Sequence, residues 1–249
     1  MSTHAEDLKF RLMTIELLRT AKKRYTYREL STKTGLPVTV LSRYAKGHVL
    51  PNTDRAHQLW KMLRALVGLE AELRKRIEFN SEGYFDNTWI VGDYNILRQA
   101  ANRALARFAG RRVTKILTAA VDGVPLATMV ANSLGVNLVI AKRGKEVGVP
   151  EFLEETYVLR DSGVTMTLYL PKDAIKRRDS VLIVDDMIKT GETQLALVNL
   201  IRKAKAEIAG IYSLISVGDE WQRKINMPER SLIEIVIKLK SKYQSDSFA

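Results

Sequence analysis

The 249 residues contain no cysteine and only three histidines, His4, His48 and His57. Disulfide staples and thiolate chemistry are therefore excluded, and a zinc site has too few Cys or His ligands to draw on, so no protein metal site is expected. No apolar run approaches the ~20 residues that a membrane-spanning helix needs, and no secretory pattern marks the N-terminus. The expectation is a soluble, cytoplasmic protein with no membrane partner. Acidic residues are also scarce: 28 Asp and Glu stand against 40 Lys and Arg, giving a net charge of +12. The imbalance is concentrated, with 16 basic and 8 acidic side chains in residues 1–80 against 24 and 20 in the rest. A positive field gathered at one end suits a polyanion-binding module, whereas the charged surface of a thermophilic protein enriches both signs together. A hydrophobic content of 46% is enough to bury a core, in one large domain or two modest ones.

The basic end reads as helical. Leu8, Leu12, Ile15 and Leu18 recur at helical spacing. Thr26 with Glu29 three residues on forms a capping box for a second helix that stops at Gly35. A third helix begins around Pro37 and carries Leu41, and a fourth lines up Ala56, Leu59, Trp60, Leu63, Leu66 and Val67. The small Ser31, the turn at Gly35 and the apolar Leu41 have the spacing of a helix-turn-helix. The stretch Leu41–Pro51 is similar to the end of phage-repressor-like DNA-binding domains. That resemblance implies that Thr39, Ser42 and Arg43 reach base edges, and that Arg28, Lys46 and His48 meet phosphates. A small helical bundle used for dimerisation is the plainer alternative. Residues 69–78, with Leu69, Leu73 and Ile77 on one side, read as a connector, with packing in a dimer as one use open to that side. The polar stretch Asn80–Gly83 marks the expected boundary between domains 1–80 and 81–249, and the tail beyond Leu239 is expected to fray.

Strands and helices alternate after the boundary. A helix over 94–109, strands at 113–121 and 136–141, a hairpin of 154–160 with 165–170 turning at Asp161-Ser162-Gly163, and a strand at 208–217 argue for a doubly wound, mainly parallel α/β sheet. The most informative segment is 181–193. Val181–Val184 form a buried strand, Asp185 and Asp186 close it, and Thr190, Gly191, Glu192 and Thr193 open a helix. In such a sheet ligands sit beyond the carboxyl ends of the strands, and a helix N-terminus there offers N–H groups to a phosphate. Two carboxylates beside that cradle suit the 2′- and 3′-hydroxyls of a ribose. A hydrophobic strand ending in Asp is common, and a Thr-Gly pair is often only a cap; it is their conjunction that is specific.

In this order, with no spare residue between them, these residues closely resemble the signature of the type I phosphoribosyltransferases, whose common ligand is phosphoribosyl pyrophosphate (PRPP). Residues 113–217 extend the likeness to the family of purine-operon repressors and purine phosphoribosyltransferases. The resemblance implies a pyrophosphate loop at Val121–Ala127, with Asp122 and Gly123, and cations facing the diphosphate at Lys142, Arg143 and Lys145. Lys189 occupies a position where the enzymes usually have a small residue, although the repressor also carries lysine there. Asp122 replaces a basic or small residue, so its charge needs offsetting by Mg²⁺ or Arg143.

The leading expectation is a transcription regulator. It would bind a double-stranded DNA operator as a homodimer and sense PRPP or a purine-type nucleotide through a phosphoribosyltransferase-like domain used as a sensor rather than an enzyme. The alternative is an active purine or orotate phosphoribosyltransferase with an accessory nucleic-acid domain. No residue that must act on a nucleobase stands out; Trp221 could stack on a base, but a lone tryptophan is more often core. RNA binding lacks a basic-aromatic stacking pattern.

Overall fold

The structure, a computed structural model, describes residues 3–80, 86–159 and 163–240. The chain divides into two compact units, Met1–Ile77 and Glu78–Ala249. Residues 81–83 of the polar stretch, Asp161 and Ser162 of the hairpin turn, and the tail from 241 lie outside the described residues.

The N-terminal unit contains α1 (His4–Lys22), α2 (Tyr27–Thr34), α3 (Val38–Lys46), α4 (Thr53–Val67) and α5 (Leu69–Arg76). The Thr26–Glu29 capping box is formed, and Gly35 at φ +67° ends α2 in the left-handed region that glycine enters without steric cost. Leu17, Leu18, Leu30, Leu41, Leu59 and Leu63 meet in its core. The expected face of α1 is only half right: Ile15 and Leu18 are buried, but Leu8 and Leu12 remain 38% and 47% exposed. The buried stripe instead runs through Thr14, Leu17, Leu18 and Ala21, with Phe10 stacked on His57 at 4.4 Å. Thr14 tolerates burial because its hydroxyl donates to the Phe10 carbonyl at 3.0 Å, a possibility that apolar periodicity does not register.

Helix α5 covers most of the expected connector, residues 69–78. Leu69 and Leu73 are buried. Glu72 is buried with them and held by Arg24 at 2.6 Å and Arg76 at 3.1 Å, as a charge taken out of water requires.

The second unit contains α6 (Thr88–Val91), α7 (Tyr94–Phe108), β1 (Lys115–Ala119), α8 (Gly123–Leu134), β2 (Asn137–Ala141), β3 (Phe152–Val158), β4 (Thr165–Pro171), β5 (Ser180–Ile188), α9 (Glu192–Lys203), β6 (Glu207–Val217), α10 (Glu220–Lys224) and β7 (Leu232–Leu239). Five strands form one parallel sheet in the order β2-β1-β5-β6-β7, while β3 and β4 form a separate antiparallel hairpin. The parallel α/β class expected from the alternating pattern is the one observed. Strand β7, unassigned in the sequence reading, completes the sheet, and its buried Glu234 is gripped by Arg103 and Arg107 of α7 at 2.9 and 2.8 Å. Val181–Val184 are fully buried because β5 lies at the centre, covered on both faces. From β1 the chain winds outward to β2, and from β5 it winds the other way to β6 and β7. The β1/β5 junction is therefore the switch point, where a crevice opens beyond the carboxyl ends of the strands.

Candidate functional site

Asp185 and Asp186 lie at that junction, but not at the end of the strand. Pairing continues through Met187 with Ile215 and Ile188 with Ser216, because the eleven-residue β6 is long enough to keep β5 extended. The turn is therefore Lys189-Thr190-Gly191, and the helix begins at Glu192. Both carboxylates are nearly buried, at 7% and 8% exposure. Gln194 Nε2 donates to Asp185 Oδ2 at 2.6 Å, and Asn87 Nδ2 donates to Asp186 Oδ2 at 2.5 Å. Gly123 closes the site from α8, since a Cβ there would fall 2.7 Å from Asp185 Oδ1 and collide with the Thr118 hydroxyl.

Burial pushes the Asp185 carboxyl well above the ordinary carboxylate range, and the neighbouring Asp186 charge adds to the effect. Burial also raises Asp186, countered in part by hydrogen bonds from the Asp185 and Asn87 side chains. Ionised carboxylates only accept hydrogen bonds. A buried acceptor pair at a sheet's ligand crevice is chemically matched to two adjacent hydroxyl donors, such as those of a ribose.

The phosphate side of the expected site is the turn before α9. Gly191 stands at φ +84° as the cap of that helix, and a Cβ there would lie 2.8 Å from Cβ of Trp221. Glycine is therefore required both for its dihedral and for the close approach. Lys189 and Thr190 are half-buried. Thr193 Oγ1 donates to the Tyr157 hydroxyl of β3 at 3.4 Å. Glu192 forms an ion pair with Lys224 at 2.7 Å. Trp221 is 1% exposed, with its indole N–H donating to the Gly218 carbonyl at 3.1 Å, so it is a core residue and no base platform.

The loops after β1 and β2 leave the sheet side by side, tied by Ala120 N–H donating to the Ala141 carbonyl at 2.9 Å. The Ala120–Val121 peptide bond is cis, Asp122 is exposed, and Gly123 is buried as the first residue of α8. Arg143 is exposed, whereas Lys142 pairs with Glu146 and Lys145 pairs with Glu154 at 3.3 Å. Such exposed pairs are worth little and open readily for an anion. A cavity of about 490 Å³ lies between β2 and the hairpin, lined by Lys142, Phe152 and Tyr169 but by none of residues 185–193.

On the N-terminal unit, Arg28, Thr39, Arg43, Lys46 and His48 are exposed and Ser42 is half-buried. Helix α3 ends at Gly47, φ +79°, and its Ala45 carbonyl is anchored by Arg19 Nε at 2.7 Å. Four polar residues near the carboxylates and the turn, Asn87, Tyr157, Gln194 and Lys224, were not singled out from the sequence. Only Gln194 left a trace there: it is a polar residue on the apolar stripe that continues through Leu197, Val198 and Ile201.

Comparison with known proteins agrees with this geometry. Residues 94–244 match the phosphoribosyl transferase domain. The purine biosynthesis transcriptional repressor PurR of Bacillus subtilis is 31% identical over 162 residues, covering 60% of this chain and 57% of the repressor. The xanthine phosphoribosyltransferase of Lactococcus lactis is 33% identical over 124 residues, covering 49% of this chain and 63% of the enzyme. The chain thus spans about three-fifths of the length of these relatives. Among solved structures, the adenine phosphoribosyltransferase of Thermoanaerobacter pseudethanolicus superposes with a TM-score of 0.60 at 22% identity, over 68% of this chain and 99% of that one. At that identity the likeness speaks for the fold. With more than half of its length matched, from α7 through β7, the chain belongs to the phosphoribosyl transferase domain family.

Proposed function

We propose that this chain is a DNA-binding transcription regulator whose phosphoribosyltransferase-like domain senses PRPP or a purine-type nucleotide. The observation that carries the reading is the buried Asp185–Asp186 pair set one turn before a glycine-capped helix N-terminus at the sheet's switch point. The carboxylates would take the ribose 2′- and 3′-hydroxyls. Lys189, Thr190, Gly191 and Thr193, with the first turn of α9 at Glu192, would cradle the 5′-phosphate. Gly123 and the N-terminus of α8 would face the diphosphate, with Lys142, Arg143 and Lys145 as counter-charges. Mg²⁺ carried on the ligand's phosphates, or Arg143, would offset the charge of the exposed Asp122. Residues 1–80 would hold the operator through Thr39, Ser42 and Arg43 at base edges and Arg28, Lys46 and His48 at phosphates. A palindromic operator calls for a homodimer.

A relative that is itself a purine biosynthesis repressor supports this reading. The xanthine phosphoribosyltransferase relative favours the alternative, a working transferase. Genome-wide capture of DNA by the full chain, with and without PRPP or purine nucleotides, tests the proposal. Recovery of discrete sites whose occupancy responds to the effector is expected, and sequence-independent capture unchanged by every effector would overturn it.

A further inference from the structure

The turn that would cradle the phosphate leads straight into an acidic residue at the helix N-terminus. Glu192 is the first residue of α9, where the phosphate is read to sit, and a carboxylate there repels the anion that the helix N-terminus attracts. Lys224, the last residue of α10, resolves this conflict. Its ammonium donates to Glu192 Oε1 at 2.7 Å and to the Thr190 carbonyl at 2.8 Å, and its side chain is only 20% exposed.

The second bond has a geometric consequence. The Thr190–Gly191 peptide is trans, as are the described residues' peptides apart from Ala120–Val121. In a trans peptide the C=O and N–H point in opposite directions. Holding the Thr190 carbonyl towards Lys224 therefore turns the Gly191 N–H the other way, off the α10 side. Helix α10 is itself seated against the turn, because Trp221, one helical turn before Lys224, packs against Gly191 closely enough to exclude any side chain there.

We infer that Lys224 is a positioning residue of the phosphate site: it cancels the Glu192 charge and aims the Gly191 N–H at the anion. The inference rests on the phosphoribosyl reading of residues 190–193. It is tested by titration calorimetry of the full chain with ribose 5-phosphate, with melting temperatures measured in parallel. Lys224→Met should weaken binding by about tenfold or more, the scale of a lost charge-assisted hydrogen bond. Lys224→Arg should retain most of the affinity. Glu192→Gln leaves Lys224 in place and should bind ribose 5-phosphate more tightly at low salt; this variant carries the test if Lys224→Met melts early. In the double variant, part of the Lys224→Met loss should be recovered, a charge effect that a merely structural role would not produce. If the unaltered chain binds ribose 5-phosphate but Lys224→Met binds within twofold of it, or Glu192→Gln binds no tighter, the inference alone falls. If the unaltered chain does not bind ribose 5-phosphate, the ligand reading falls and takes the inference with it.

Discussion

Gln194 reaches from the first turn of α9 to Asp185 in the middle of the sheet, its amide donating to the carboxylate at 2.6 Å. The bond locks the strand that carries the acidic pair to the helix that would hold the phosphate, and it partly offsets the burial that raises the Asp185 carboxyl. An acid whose folded-state pKa is raised stabilises the fold fully below its unfolded value, near 3.9 for aspartate, and loses that contribution as pH rises through the folded value. Stability should therefore decline as pH climbs above about 4, and the decline should be shallower in Asp185→Asn. Thermal melts of both proteins from pH 4.5 to 8 test this; parallel curves would refute it. Gln194→Leu removes the compensating donor and should cost about 1–3 kcal/mol in urea unfolding near neutral pH.

Ligand binding should run against that strain. Hydroxyl donors favour the ionised pair, so affinity for ribose 5-phosphate or PRPP should rise with pH while stability falls. Ligand at a hundred times its Kd should add about 2.7 kcal/mol of stability. Asp185→Asn combined with Asp186→Asn should abolish the effect while leaving a folded protein, as differential scanning fluorimetry would show. An undiminished thermal shift in the double variant would remove the carboxylates from the site.

On the N-terminal unit, Arg43 and Lys46 are both exposed on α3, yet they should fail differently when replaced. Arg43→Ala should relax sequence preference by about 1–3 kcal/mol at one base position, whereas Lys46→Ala should weaken all DNA alike and lower the salt slope by about one. Electrophoretic mobility shifts at several salt concentrations, with operator and random DNA, separate the two outcomes. Equal losses on both DNAs for Arg43→Ala would take Arg43 off the base edge.

Transferase turnover should be negligible with adenine, guanine, hypoxanthine, xanthine, uracil or orotate, even where PRPP binds. Transfer needs the departing diphosphate to be held more tightly in the transition state than in the bound reactant. The exposed Asp122 beside the α8 N-terminus opposes that build-up of charge. Pyrophosphate release on the order of 1 s⁻¹ or faster with any of these bases would promote the enzyme reading. Asp122→Ser should tighten pyrophosphate binding by direct titration, and no change would acquit Asp122.

Where an element depends on neighbours in sequence, the sequence by itself determined it. The Thr26–Glu29 capping box, the left-handed turn at Gly35 and the run from Val181 to Thr193 each lie within a dozen or so residues, and their chemistry is local: a hydroxyl beside an N–H, a missing Cβ, an apolar strand leading into a turn. The alternation of strands and helices likewise implied a parallel sheet, because right-handed crossovers leave few other arrangements. Only the tertiary structure decided how far β5 runs past its carboxylates, since β6 supplies the partners. It decided that α1 buries Thr14 while Leu12 stays in solvent, because a helix turns whichever side its neighbours cover and the backbone satisfies the threonine hydroxyl. It also brought Asn87 to Asp186 across 99 residues and Lys224 to Glu192 across 32. Neither pairing has a periodicity or spacing to betray it, for hydrogen bonds between distant segments form only once the core has packed those segments together.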